Sequence, residues 1–498
     1  MLARRFVTAA LAVLALAVTA PAGALPTPAR AQKAAATGSF ELVGHSPLEN
    51  RGMNAALAVH GNYAYVGSRT DGKPLDNNLT RGGIMIVNIS NPATPTVVGE
   101  MSVPNEGNQG ESSRELRVWR SQDILIVLHT NCSNQIHICA SASSQNSFRA
   151  YDISGAKATN PTLIREWQPT THEFFLWEDP LNPERALIFN TSAGSTMAIF
   201  DISPLANGGA PIQLYSGNHQ AGGGSVHSMS VSNDGTRGYY ALLTGGFSVM
   251  DVSDFTSGAP NPALRRITLS TNRPTWSGPG AHSAVKLWKR DWVAVFDEVY
   301  GSALMALGDH GCPWGWGRMI DISDPTKPVV RAEYKIPENE ASFCEPADTR
   351  PTATYSAHNP TLTPNIGFVS WHAGGLQAID LTDPASPKKL AEFRPTPLPF
   401  VVTEDPVLTA GSLERAAMWS YPIIKDGLIY VTDIRNGLYI LRYKGDLAAE
   451  ADQVTFLEGN SNQGHALCFD PVLKPKENPE DPDEFLIPEY CDDRAPTP

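Results

Sequence analysis

The sequence has 498 residues, of which 38 are Lys or Arg and 51 are Asp or Glu, giving a formal net charge of −13. This acidity argues against nucleic-acid binding, because proteins that bind phosphate backbones concentrate positive charge. Charged residues amount to only 18% and apolar residues to 42%, which disfavours a coiled coil, a disordered chain and a multi-span membrane protein.

The first segment of the chain, residues 1–31, has the pattern of an export signal. A basic start at Arg4 is followed by an uncharged apolar run over 6–20 and by small-residue cleavage sites. We prefer cleavage after Ala31; an uncleaved anchor is the alternative, although the apolar run is short for a membrane span. The expected location is secreted or otherwise extracytoplasmic, at the cell envelope, with no membrane span left after cleavage.

A short motif recurs through the rest of the chain: apolar residues, then Asp or Asn, then an aliphatic residue, then Ser or Thr. The Asp or Asn positions are Asn88, Asp152, Asp201, Asp251, Asp321 and Asp380, and a degenerate seventh copy has Arg442 there. Neighbouring copies are 49 to 70 residues apart. Each unit has four short β-type segments separated by turn signals, without a sustained helical period. Repeats of this length and content predict a β-propeller.

The seventh unit lacks a fourth strand of its own, whereas residues 40–44 near the N-terminus look like an unpaired fourth strand. Joining this strand to the last blade would close the ring and remove exposed sheet edges. The sequence therefore predicts an all-β, seven-bladed β-propeller of four-stranded antiparallel blades, with six or eight blades as alternatives. The expected divisions are a signal peptide at 1–31, the propeller at 32–445 and an acidic, proline-rich C-terminal strap at 446–498.

The repeated motif resembles the LVIVD repeat of secreted and cell-surface proteins of bacteria and archaea. Six well-formed copies within residues 39–443 carry this resemblance. It implies an extracytoplasmic β-propeller and no particular reaction, so the function has to be inferred from individual residues.

Polar residues occupy the channel positions of the predicted inner strands. In blade order, the equivalent positions hold Met53, Arg114, His172, His227, His282, His358 and Trp419. Four consecutive blades thus place a histidine there. Propeller topology puts the ends of the second strands at the same face, near His129, Glu298 and His372.

Converging imidazoles suggest a transition-metal site for Zn, Cu, Fe or Mn. The expected ligands are His227, His282 and His358, with His172 or His372 as the fourth. Glu298 or Glu173 would act as a general base or orient the ligands. The alternative is structural, with the histidines hydrogen-bonding to neighbouring blades as struts.

Further candidates on this face are ligand-binding residues. They are Arg114, Glu115, His129, Trp314, Trp316 and Trp419. An arginine can bind a carboxylate, and an exposed tryptophan can stack on a sugar or an apolar ligand; an internal ion pair and packing between loops are the alternatives. The expected partner is a small polar ligand or a glycan, or a surface protein if the chain is a non-enzymatic binding module. Whether it is an enzyme stays open.

An even number of cysteines in an exported chain predicts disulfides, for which fifteen pairings exist. Sequential pairing is the simplest: Cys132–Cys139, Cys312–Cys344 and Cys468–Cys491. A zinc site is the alternative, but no Cys-x-x-Cys spacing supports it.

Overall fold

The computed structural model describes residues 36–70, 82–102, 111–131, 147–168, 172–191, 195–276, 280–299, 312–344, 354–404 and 416–469. The predicted signal peptide, Cys132, Cys139, Cys491 and the tail after Phe469 lie outside these residues. None of the helices in the described ranges has the length and hydrophobicity of a membrane-spanning segment.

Seven antiparallel sheets form within the described ranges, so the seven-bladed β-propeller prediction is confirmed. The first strand, β1 (Gly38–Ser46), belongs to the last sheet. Blade 1 has β2 (Asn54–His60), β3 (Tyr63–Ser68), β4 (Ile84–Asn88) and β5 (Thr96–Met101). Blade 2 has β6 (Glu111–Trp119), β7 (Ile124–Asn131), β8 (Ser147–Asp152) and β9 (Thr162–Trp167). Blade 3 has β10 (Glu173–Asp179), β11 (Asn182–Thr191), β12 (Thr196–Asp201) and β13 (Ile212–Asn218).

The second half of the ring repeats this order. Blade 4 has β14 (Met229–Val231), β15 (Arg237–Ala241), β16 (Phe247–Asp251) and β17 (Arg265–Arg266). Blade 5 has β18 (Ala281–Lys286), β19 (Trp292–Asp297), β20 (Gly317–Asp321) and β21 (Val329–Tyr334). Blade 6 has β22 (Pro360–Leu362), β23 (Ile366–Trp371), β24 (Gly375–Asp380) and β25 (Lys388–Phe393). Blade 7 has β26 (Ile423–Lys425), β27 (Leu428–Asp433), β28 (Gly437–Gly445) and β29 (Phe456–Glu458) in addition to β1.

Short helical segments connect some of these strands. The α-helices are α1 (Ser253–Thr256), α2 (Ala448–Asp452) and α3 (His465–Phe469). Single 3-10 turns occur at Leu48–Asn50, Arg120–Gln122, Gly155–Ala158, Ser203–Asn207, Pro337–Asn339 and Ala341–Cys344.

The ring is closed by β1, which pairs antiparallel with β28 as the sequence predicts. Phe40 lies opposite Tyr443 in this register, and their rings are 5.8 Å apart. The last blade therefore combines residues from both ends of the described chain, and β1 covers an edge of β28 that would otherwise be open to pairing with another chain.

The six well-formed copies of the repeat motif share a turn that ends the third strand of their blade. In the third blade, Asp201 Oδ1 accepts hydrogen bonds from the backbone N–H of Ser203, at 2.9 Å, and from its hydroxyl. Equivalent side-chain contacts follow β4, β8, β16, β20 and β24. The aliphatic residue between them, here Ile202, is fully buried. The motif is therefore an Asx turn whose central side chain anchors it to the core.

Apolar strand residues pack between adjacent blades, which leaves the inner ends of the first strands free to be polar. One such layer, between blades 2 and 3, contains Trp119, Ile126, Phe174 and Phe200. Blade-to-blade packing of this kind fixes the positions of the channel residues relative to one another.

The segment after β28 crosses the channel at the ends of the inner strands. Its strand β29 pairs with β26 on the channel side. The Asn462 side chain hydrogen-bonds the backbone N–H and C=O of Glu178, at 2.7 and 2.8 Å, and Gln463 Nε2 donates to Val118 O at 2.7 Å. The described part of the predicted strap thus closes the channel mouth opposite the histidines.

Candidate metal site

The histidines of four adjacent blades meet at one end of the channel. His282 lies in β18, whereas His172, His227 and His358 lie just before β10, β14 and β22. Their backbone still pairs with the second strand: the His227 N–H donates to Ala241 O at 2.9 Å, for example. The successive imidazole rings are 4.4, 3.8 and 4.3 Å apart between centroids.

Glu298 is the centre on which three imidazoles converge. It follows β19 directly, and its Oε1 is 3.2 Å from His358 Nε2 and 3.1 Å from His372 Nε2. Its Oε2 is 3.4 Å from His282 Nε2. The second strands thus deliver Glu298 and His372 to the end of the channel where the first strands deliver the other histidines.

A second carboxylate, Glu173, lies on the other side of His282. Its Oε1 is 3.5 Å from His282 Nε2 and 3.5 Å from His227 Nδ1. Its other oxygen accepts a hydrogen bond from the hydroxyl of Ser228. His282 therefore stands between two carboxylates.

The donor spacings fit those around a metal ion. Ligands about 2.0–2.1 Å from a tetrahedral metal are separated by about 3.3 Å from one another, and the donors around Glu298 are separated from it by 3.1 to 3.4 Å. Neither ring nitrogen of the buried His282 makes a hydrogen bond within the described residues, because the carboxylate contacts of Nε2 lack hydrogen-bond geometry. Three overlapping groups have donor atoms close enough together to hold a metal ion: His172, Glu173 and His227; His227, His282 and Glu298; and Glu298, His358 and His372.

The ligand-side nitrogens of two histidines are oriented by hydrogen bonds on their far side. His358 Nδ1 donates to the backbone oxygen of Trp419 at 2.6 Å, and His372 Nδ1 pairs with the Thr354 hydroxyl. Outer hydrogen bonds of this kind fix the ring of a metal-binding histidine and its tautomer. Both Nε2 atoms consequently point toward Glu298.

Burial favours the neutral form of His227, His282 and His358. It lowers the pKa of His227 to about 4 and that of His358 to about 3. Burial, followed by the neighbouring His227, also lowers the pKa of His282 well below its usual value. Neutral imidazole is the form that binds metals.

The surroundings shift the pKa values of the two carboxylates in opposite directions. Burial raises the pKa of Glu298, whereas protonation of His358 or His282 and the contact with His372 lower it, and the balance lies well below the usual value. Burial, and then the charge of Glu115, raises the pKa of Glu173 well above the usual value. The surroundings therefore favour the anionic form of Glu298 more strongly than that of Glu173.

One wall of the site is formed by Trp419, which stacks on His372 at an interplanar angle of 11°. Arg69 covers this tryptophan, with its guanidinium carbon 4.0 Å from the ring centroid. The sequence analysis missed Arg69. It directly follows β3, the position that Glu298 and His372 occupy after β19 and β23, so applying the same positional rule to blade 1 would have identified it.

The predicted pair Arg114 and Glu115 is divided between two environments. Arg114 Nη2 is 3.5 Å from His172 Nε2, at the blade-3 end of the histidine row. Glu115 Oε2 forms a buried ion pair with Arg117 Nη2 at 2.9 Å. Arg114 thus borders the candidate site, and Glu115 lies deeper in the channel.

Three other candidates lie in different surroundings. His129 Nε2 is 3.1 Å from Ser102 Oγ, and its Nδ1 is 3.8 Å from Glu111 Oε2. Trp314 is buried, 5.5 Å from the ring of Tyr355. Trp316 is half-buried beneath Lys335, whose Nζ is 4.1 Å from the ring. The described contacts of these three residues are with other partners than the histidine row.

One predicted disulfide, Cys312–Cys344, is present and links the chain before β20 to the chain after β21. Cys468 is also disulfide-bonded, with a partner outside the described residues.

The fold and the channel define a seven-bladed β-propeller with a histidine-rich site at one end. Residues 51–103, which include the whole of blade 1, match the family model described as "LVIVD repeat". The chain thus contains an LVIVD repeat, and the resemblance seen in the sequence is confirmed.

Similarity to curated proteins and to solved structures does not identify a function for this chain. No curated protein matches the chain. Among solved structures it is similar to Chaetomium thermophilum Sqt1 bound to the N-terminus of the ribosomal protein L10, with 14% identity, coverage of 81% of this chain and 89% of that one, and a TM-score of 0.42. It is also similar to Chaetomium thermophilum Raptor, with 11% identity, coverage of 82% and 29%, and a TM-score of 0.47.

Proposed function

We propose that this protein is an exported β-propeller that binds a transition metal at the histidine end of its channel and uses it in chemistry on a small polar ligand. The observation that carries the proposal is the convergence of His282, His358 and His372 on Glu298, with Nε2-to-oxygen distances of 3.1 to 3.4 Å. Three imidazoles and one carboxylate suit Zn, Mn, Fe or Cu.

A metal held in this way would act as a Lewis acid toward an oxygen of the ligand. The protein would supply the surroundings. The half-buried His172, beside the buried Arg114, would be the end of the row that a ligand reaches first. A guanidinium there favours an anionic group such as a carboxylate. Trp419 shields the metal end from water.

Export is the second part of the proposal. It is supported by the signal-like residues 1–31 and by the Cys312–Cys344 bond, since disulfides persist in oxidising compartments.

The metal test is elemental analysis of the full-length protein, purified without a metal-binding tag and reconstituted with Zn, Cu, Mn or Fe. We expect bound metal in the wild type and its loss in the double variant His282→Ala/His358→Ala. A matched control is His219→Ala, because His219 is also buried but its side chain hydrogen-bonds locally, to Gly224 O at 3.2 Å and to the Ala221 N–H at 3.1 Å.

The rival function is a secreted module that binds a glycan or a protein and uses its histidines as struts. The hydrogen bond from His358 to Trp419 O, which joins blades 6 and 7, is the observation that favours it. This function predicts no bound metal after reconstitution and a lower melting temperature in the double variant. That result would overturn the metal proposal.

A further inference from the structure

The row of donors at the channel end is longer than one metal ion can use. It contains three overlapping trios. The outer two have no residue in common: Glu298, His358 and His372 on one side, and His172, Glu173 and His227 on the other; the middle trio of His227, His282 and Glu298 shares one residue with each. Within each trio, one candidate ligand atom per residue lies within 4.8 Å of the others. Each trio alone contains the two histidines and one carboxylate that occur together in many metal sites.

The positions of the trios rule out a single shared ion. Metal–ligand bonds of about 2.0–2.2 Å keep all ligands of one ion within about 4.4 Å of one another. His172 belongs to blade 3 and His358 to blade 6, and each ring-to-ring step between them is 3.8 to 4.4 Å. Among the described residues, no group of donor atoms that all lie within 4.8 Å of one another contains both His172 and Glu298. An ion bonded to Glu298, His358 and His372 is therefore not positioned to bond His172 as well.

His282 lies between two neighbouring ion positions, in contact with a carboxylate ligand of each. Its Nε2 is 3.4 Å from Glu298 Oε2 and 3.5 Å from Glu173 Oε1, and neither of its nitrogens hydrogen-bonds within the described part of the chain. Metal ions in two-metal sites are about 3.5–4 Å apart, a separation comparable to the spacing of adjacent rings in this row.

We propose that the channel end is a two-metal centre, with a second ion held by His172, Glu173 and His227. This inference rests on the proposed function, since it adds an ion to the same site. The Ser228 hydroxyl orients Glu173, as outer hydrogen bonds orient ligating carboxylates. Arg114 opposes the second cation, because its Nη2 is 3.5 Å from His172 Nε2. The second ion is therefore the weaker-binding one and would recruit an anion beside the guanidinium.

The test is to strip the full-length protein with a chelator, dialyse it against Zn(II) and count bound zinc. We expect two equivalents in the wild type and one in Glu173→Gln, which keeps the side-chain shape. The matched control is Glu178→Gln on the same strand, whose side chain lies at the opposite end of the channel; it should keep two. The double variant His172→Ala/His227→Ala should also keep one, and near-ultraviolet circular dichroism checks that each variant is folded.

Each other outcome is decisive. One equivalent in the wild type would overturn the second site and leave the proposed function standing. Two equivalents retained in folded Glu173→Gln and in the double variant would place the second ion elsewhere and also overturn it. No bound zinc, copper, manganese or iron would overturn both proposals. With Cu(II) as the probe, a half-field electron paramagnetic resonance transition in the wild type, absent from Glu173→Gln, would support two adjacent ions.

Discussion

Glu298 shows how a single residue sets the character of the channel end. Its side chain is only 6% exposed, yet its surroundings favour the anion because imidazoles approach both of its oxygens. His372, one of these imidazoles, has a φ of +26°, which residues with a side chain rarely adopt. Strain of this kind costs about 1–3 kcal/mol and persists mainly at functional sites. The backbone at His372 is thus held where its ring reaches Glu298.

His129 allows a pH prediction that metal binding does not complicate. Burial, followed by the charge of Arg149, lowers its pKa well below the usual 6.5. Below pH 6.5, His129 binds a proton in the unfolded chain but stays neutral in the folded protein. The free energy of unfolding therefore decreases as the pH falls. The loss approaches about 1.4 kcal/mol per pH unit. The variant His129→Gln should lack this pH-dependent loss of stability.

The measurement is urea unfolding of both proteins between pH 7 and pH 5. The free energy of unfolding of the wild type should fall more steeply toward acid than that of His129→Gln. Buried groups common to both proteins, such as Glu173, cancel in the difference. Parallel curves would mean that His129 titrates normally in the folded protein.

At the scale of single elements, the contribution of the closure strand β1 to stability can be tested directly. Phe40 is half-buried against Tyr443 and Phe368, with ring centroids 5.8 and 6.3 Å away. Replacing it with Ala should cost about 1–2 kcal/mol, less than the 3–5 kcal/mol of a fully buried Phe. Leu42, on the same strand but 52% exposed, is the control and should cost less than about 0.5 kcal/mol.

Thermal unfolding of Phe40→Ala and Leu42→Ala measures this difference. Equal melting temperatures for the two variants would show that β1 contributes little to ring closure. A larger tendency of Phe40→Ala to associate would agree with an opened β28 edge.

The elements themselves were largely predictable because their signals are local. The Asp-Ile-Ser turn after Asp201 contains its own hydrogen bonds, so the sequence pattern reports it directly. The path of 456–469 was not predictable, because it depends on contacts with distant strands. Asn462, for example, bonds the backbone of Glu178, 284 positions away. Nothing local marks such a residue as part of a channel closure.

At the scale of the whole molecule, the ring brings into one site residues that are up to 200 positions apart, from His172 to His372. Periodicity predicted that the four first-strand histidines share one end, because equivalent positions of a propeller lie at equal heights. It could not predict which of them meet Glu298, since that depends on side-chain direction and on the blade-to-blade distance. It also could not separate Trp314 from the site, because its burial against Tyr355 is a contact between loops.

The most direct test of the central claim is a crystal structure of the metal-reconstituted protein with anomalous data collected at the absorption edge of that metal. The account predicts an anomalous peak about 2.0–2.2 Å from Glu298 and from the Nε2 atoms of His282, His358 and His372. A fully reconstituted crystal whose only anomalous peaks lie away from these side chains, or that has none, would contradict it.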